Sequence, residues 1–178
     1  MIGVLALQGG FAEHLAVLKS LGLKARAVRS ADEILTCEAL ILPGGESTVM
    51  MHFIEKDGLK DAIIKQAALY PVYGTCAGLI VLSELGVLDV DVERNAYGSQ
   101  VQSFIAPVEV NGVGELPAHF IRAPKITRIG AGVEVLAEYD GVPVLVRQAN
   151  VWGGSFHPEL VPTTLVHQMI FQNPKLKS

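Results

Sequence analysis

Four short strand-like runs in the first half of the chain each end at a turn and give way to a helical stretch. This alternation restricts the fold more than any other feature. The runs are residues 2–7, 23–28, Ala39–Leu42 and 71–73. After the first, Phe11, Leu15 and Leu18 share one helical face, and Gly22 is placed to close that helix. Ser30 and Glu33 have the spacing of a capping box that opens a second, short helix. Beyond Pro43-Gly44-Gly45 a helical stretch runs to Leu69 with a break near Gly58, and another follows the fourth run over residues 77–85, ahead of Gly86. Such alternation builds a parallel sheet with helices on both faces. The second half is richer in strands. Residues 101–110 read as extended, and Glu134–Tyr139 and Val142–Gln148 flank Asp140-Gly141, a strong two-residue hairpin signal. An amphipathic helix is expected from about 163 to 172. The expected fold is α/β and flavodoxin-like: one domain over residues 1–178, with a mostly parallel sheet and an antiparallel portion in its second half.

Size and charge narrow the function. A chain of 178 residues can bury roughly 70% of its unfolded surface without a disulfide or metal staple. Fourteen Lys and Arg stand against eighteen Asp and Glu, for a net charge of -4, with no basic run; this argues against a nucleic-acid partner. No apolar run reaches the roughly 18 residues of a membrane span, and no basic stretch precedes the first apolar run as a secretory signal would require. The expectation is a soluble, cytoplasmic protein. Of the two cysteines, Cys37 reads as core filler. Cys76 stands in different surroundings.

Gly74-Thr75-Cys76-Ala77-Gly78 is a G-x-C-x-G motif between an expected strand and an expected helix, the thiol counterpart of a serine nucleophile elbow. A sharp strand-to-helix turn strains the nucleophile's backbone, and the glycines on either side leave room for the close chain crossing. Cys76 then sits at a helix N-terminus, which favours thiolate, and the Ala77 N–H is free to meet a developing oxyanion. A cysteine nucleophile needs a base, and the base needs an orienting group. Phe156-His157-Pro158-Glu159 supplies both types. Pro158 biases His157 toward extended geometry, in which Glu159, two positions on, lies on the same side; a neighbouring loop is the other way to bring Glu159 to the ring. His14 and His52 are expected on helical faces, His167 on the last helix and His119 at the opening of a strand. No histidine pattern has metal-ligand spacing, so no metal site is expected.

Together these residues resemble the Cys-His-Glu triad of class I glutamine amidotransferases. The chain resembles in particular the branch that serves as glutaminase subunits of pyridoxal 5'-phosphate synthases. Leu5-Ala6-Leu7-Gln8-Gly9, Leu42-Pro43-Gly44-Gly45-Glu46-Ser47-Thr48, Glu93-Arg94-Asn95-Ala96-Tyr97-Gly98, Phe120-Ile121-Arg122-Ala123-Pro124 and Ser155-Phe156-His157-Pro158-Glu159-Leu160 match that branch in order along nearly the whole chain. The resemblance implies hydrolysis of L-glutamine to glutamate and ammonia through a thioester on Cys76, with no cofactor. It implies a glutamine pocket of Gly45, Glu46, Ser47, Arg94, Ile121 and Arg122, with oxyanion donors at Gly45 and Ala77. The implied partner is a synthase subunit that takes the ammonia to build pyridoxal 5'-phosphate from a pentose phosphate and a triose phosphate. Gly10, the short stretch 86–90 and Val161-Pro162-Thr163-Thr164 depart from the family pattern, all away from the triad. The Gly44-Gly45 peptide, with no side chain to fix it, is expected to flip at little steric cost. The Gln8-Gly9-Gly10 loop and the first helix are the expected partner contacts. Two other readings use the same elbow: a peptidase or deglycase on a flavodoxin-like sheet, and an inactive glutaminase that only regulates a partner.

Overall fold

The computed structural model describes residues 1–94 and 103–172. Asn95 to Gly98 of one family motif, and the first two residues of the strand expected over 101–110, lie outside the described residues. Along the chain come β1 (Ile2–Leu5), α1 (Phe11–Ser20), β2 (Ala25–Val28), α2 (Ala31–Leu35), β3 (Ala39–Leu42), α3 (Ser47–Lys56), α4 (Lys60–Leu69), β4 (Val72–Thr75) and α5 (Ala77–Glu84). The second half holds β5 (Val90–Glu93), β6 (Ser103–Val110), β7 (Gly114–Ile121), β8 (Lys125–Ile129), β9 (Glu134–Tyr139), β10 (Val142–Gln148), β11 (Val151–Gly154), a 3-10 turn at Pro158–Leu160 and α6 (Leu165–Phe171).

Among the described residues one nine-stranded sheet runs in the order β2-β1-β3-β4-β11-β10-β9-β6-β7, and β5 pairs with β8 beside it. The β2-β1-β3-β4-β11 part is parallel, and the rest is antiparallel. The expected α/β architecture is observed. β1, β3, β4 and β11 are buried along their whole length, as strands covered on both faces must be. Their side chains alternate between two cores. Leu5, Leu40, Leu42, Val72 and Val151 meet residues of α2 to α5. Val4, Ile41, Tyr73 and Trp152 meet Leu18 of α1 and Val166, Ile170 and Phe171 of α6. β6 instead alternates exposed and buried residues.

Local signals set the boundaries. Ser30 and Glu33 form the complete capping box at α2, Gly58 takes a positive φ of 66° between α3 and α4, and Asp140 and Gly141, at φ 49° and 72°, make the β9–β10 hairpin. β1 and β2 are shorter than expected, the strand expected to open at His119 begins earlier, at Gly114, and β5, β8 and β11 carried no clear strand signal. β7 contains Pro117 opposite Pro107 of β6, and proline inside a run argues against a strand; β7 escapes that rule as the edge of the sheet. β11 is Val-Trp-Gly-Gly, whose glycines suggest a loop. A Cβ on Gly153 would press on Leu79 of α5 and Leu88, so the glycine is there to let α5 lie close. No helix among the described residues is long and apolar enough to cross a membrane.

Candidate active site

The loops after β1, β3, β4 and β11 all emerge at the carboxyl end of the parallel strands, where open α/β sheets place their sites. Cys76 leaves β4 with φ 51° and ψ -105° as the N-cap of α5, a conformation that costs about 1–3 kcal/mol outside glycine. Its backbone N–H donates to the Gly154 carbonyl at 2.8 Å, tying the end of β4 to the end of β11. A Cβ on Gly78 would run into the Leu42 carbonyl, and one on Gly74 into Gly78 and Leu82. The elbow therefore depends on both glycines. Gly78→Ala is expected to destabilise the fold by about 1–3 kcal/mol, because the atom in the way is backbone and cannot yield cheaply. A denaturant midpoint lowered without a change in slope checks this; an unchanged midpoint contradicts it.

β11 delivers the second group. The Thr75 hydroxyl donates to the Phe156 carbonyl at 2.6 Å, and the His157 N–H donates to the His119 carbonyl of β7 at 2.8 Å, so His157 is held from both sides. Its Nδ1 lies 2.6 Å from Glu159 Oε1, with both residues buried. Sequence reasoning had Glu159 reach His157 along an extended chain. Glu159 lies instead in the 3-10 turn begun by Pro158, since proline suits the first position of a helical turn; the turn curls Glu159 back under the ring. His119 lies near the end of β7 rather than at its start.

Cys76, Ala77, His157 and Glu159 open onto a cavity of about 360 Å³, also lined by Gly44, Gly45, Glu46, Ser47, Arg94, Ile121 and Arg122. All the residues expected in the site are thus brought to one cavity. Arg94 donates to the Thr48 hydroxyl at 2.7 Å and pairs with Glu84. Arg122 has a positive φ of 42° and stands 3.6 Å from Glu46, both exposed. The Gly44-Gly45 peptide is less free than its composition suggests. The Gly44 carbonyl accepts from the Gly10 N–H at 3.1 Å, so the Gly45 N–H of the same trans peptide points the opposite way. The Gln8 side chain packs where a Gly45 Cβ would stand and donates to the Glu46 carbonyl at 3.2 Å. A flip therefore breaks a hydrogen bond and requires the 8–10 loop to move.

Residues 4–174 match the model of the SNO glutamine amidotransferase family. The chain belongs to this family. It is 45% identical to the pyridoxal 5'-phosphate synthase subunit PdxT of Thermus thermophilus over 97% of this chain and 96% of that one. It is 44% identical to the subunit of the same name from Francisella philomiragia, over 94% and 95%. A solved glutamine amidotransferase is 44% identical and superposes with a TM-score of 0.93 over 96% of this chain and 97% of its own. PurLQS from Thermotoga maritima, at 18% identity and a TM-score of 0.72 over 96% of each chain, shares the fold. The family is the one that the sequence motifs resembled.

The electrostatics of this family member favour a charged imidazole against a charged carboxylate. Burial would push the His157 imidazole down, but hydrogen bonds and charge from Cys76 and Glu159 hold it up, at about 10. Burial likewise opposes the charge of Glu159, yet the His157 hydrogen bond and the charges of His14 and His157 hold its carboxyl below the usual range. At neutral pH the ring is therefore an imidazolium, with Nδ1–H on Glu159. Sequence reasoning missed what lies behind Glu159: His14 and His167, both fully buried, on α1 and α6. The available signal was position. His14 falls on the stripe of Phe11, Leu15 and Leu18, and His167 on that of Ile170 and Phe171, where a polar residue is out of place without a partner.

Proposed function

We propose that this chain hydrolyses the side-chain amide of L-glutamine, with Cys76 as nucleophile, His157 as proton carrier and Glu159 as its orienting carboxylate. The observation that carries the reading is one constellation. A cysteine in a strained strand-to-helix turn opens onto the same cavity as an imidazole whose Nδ1 lies 2.6 Å from a buried carboxylate. Cys76 sulfur attacks the amide carbon, and the carbonyl π electrons move to oxygen. The Ala77 N–H, free at the first position of α5, and the Gly45 N–H donate to that oxygen. His157 gives its proton to the departing nitrogen, ammonia leaves, and a thioester remains on Cys76. His157 then takes a proton from water, hydroxide adds to the thioester, and glutamate and the thiol are released. Arg94 and Arg122 offer guanidinium groups for the substrate's α-carboxylate, and Glu46 and Ser47 offer acceptors for its ammonium.

Relatives 44–45% identical over nearly the whole chain are named as subunits of pyridoxal 5'-phosphate synthase. The reading follows that the ammonia passes to a synthase subunit that builds pyridoxal 5'-phosphate in the cytoplasm. Turnover in the isolated chain is expected to be low and to rise when that subunit docks. A partner that moves the 8–10 loop would reset the Gly44-Gly45 peptide, and it can shift that equilibrium only as far as its preference for one state allows. One oxyanion donor is worth about two to three powers of ten in rate. Titrating the synthase subunit into a steady-state glutaminase assay tests this. A turnover number that stays flat through saturation would refute the activation and leave the Cys76 chemistry standing.

A further inference from the structure

Glu159 uses one carboxylate oxygen on His157. The other, Oε2, is buried with no hydrogen bond of its own. At 3.5 Å from it stands His14 Nε2, also buried and without another partner. His14 Nδ1 in turn lies 2.9 Å from His167 Nε2. The rings of both histidines meet the edge of Tyr73, at 6.5 and 6.4 Å between centroids, which closes the pocket from the sheet side. α1, α6, β4 and the turn after β11 thus converge on a single carboxylate, from three distant parts of the sequence.

We propose that His14 and His167 are positioning residues that extend the triad backward: His167 Nε2–H donates to His14 Nδ1, and His14 Nε2–H holds the second oxygen of Glu159. The inference rests on the triad reading of the site. It follows from counting protons. Two imidazole nitrogens 2.9 Å apart need one hydrogen between them. Burial holds His167 down at about 3 and lowers His14 as well, against the pull of Glu159 and Glu13 and with the push of His157. Each ring is therefore neutral near pH 7 and carries one proton. Were that proton on His14 Nδ1, a bare Nε2 would face a carboxylate oxygen, two acceptors in a dry site. With the proton on Nε2, Oε2 gains its donor, and the hydrogen between the rings comes from His167. His167 Nδ1 is then left bare, which costs less than a buried N–H without an acceptor. The groups facing Glu159 are then His157, His14, Tyr73 and, behind them, His167; Cys76 and Glu13 lie further out.

The consequence is a carboxylate fixed in charge and direction, so that it supports the imidazolium of His157 at low pH. Two measurements on the full chain test it. In wild type labelled with 15N-histidine, the imidazole spectra should show His14 and His167 each protonated on Nε2 at neutral pH; a His14 Nε2 without a proton overturns the proposal. In the second, the rate of Cys76 alkylation by iodoacetamide is followed against pH, a readout that needs no partner. His14→Leu is expected to move the acid limb up by about one pH unit and to slow alkylation near its foot about tenfold. His14→Gln, whose amide can still donate to Oε2, should restore most of the wild-type profile. An acid limb unmoved in folded His14→Leu, or displaced equally by Leu and Gln, overturns it. If His14→Leu does not fold, the tautomer spectrum of the wild type decides alone. The triad reading itself is judged separately, by whether Cys76 is the residue that reacts.

Discussion

Cys76→Ser is expected to lower glutamine hydrolysis at least about a thousandfold while the protein stays folded. The serine hydroxyl occupies the same elbow but is not ionised by an imidazole, so the first bond to the amide carbon does not form at a useful rate. The fold has little reason to object. Cys76 holds its place through its backbone, by the N–H to Gly154 and by α5 beginning at its carbonyl, and both survive the exchange. Cys37 is the control. It is buried among α2, β1 and β2 residues, and its thiol donates to the Glu33 carbonyl at 3.3 Å, a bond that a serine hydroxyl can keep. Cys37→Ser should stay within about twofold of wild type. Ammonia released per site, with the synthase subunit present, is the measurement. Hydrolysis retained in Cys76→Ser would end the mechanism.

His157→Ala is expected to cost about as much as losing Cys76, because both proton transfers pass through that ring. Glu159→Gln should cost less, by about one to two powers of ten, as orienting carboxylates in triads do. The structure adds a sign. The Glu159 hydrogen bond and charge are among the causes that raise His157, so Glu159→Gln should lower the pH at which the ring loses its second proton. Titration of the His157 ring signals measures that shift, and kcat at saturating glutamine measures the turnover. A Glu159 variant more damaged than a well-folded His157→Ala would reverse the roles.

What the sequence carried and what it lost have physical causes. β1, β3 and β4 were legible because strands buried on both faces are continuous apolar runs, and each is followed by a glycine-bearing turn. The β9–β10 hairpin was legible because Asp140-Gly141 accepts the positive φ that such a turn demands. The start of β7 and the whole of β11 were not, because proline and glycine stand there for tertiary reasons: one lies at a sheet edge, the other lets α5 approach. The triad could be named from residue types, since elbow chemistry needs particular residues at particular spacings. The geometry of Glu159 could not, because Pro158 serves an extended chain and the first position of a 3-10 turn equally well. The His14–His167 pair joins residues 153 positions apart, and no local pattern connects α1 to α6. The restraint on Gly44-Gly45 likewise comes from Gln8 and Gly10, on another strand's loop.

The central claim is that Cys76 is the nucleophile toward glutamine, and a glutamine-mimicking diazo-ketone tests it most directly. The diazomethyl carbon takes a proton from the His157 imidazolium, the thiolate displaces dinitrogen from it, and a stable thioether stands in place of the thioester. With the synthase subunit present, one label per chain should appear, mapped by peptide mass spectrometry to Cys76, and excess glutamine should protect against it. A label on Cys37, or an unlabelled Cys76 in a preparation that hydrolyses glutamine, would contradict the account.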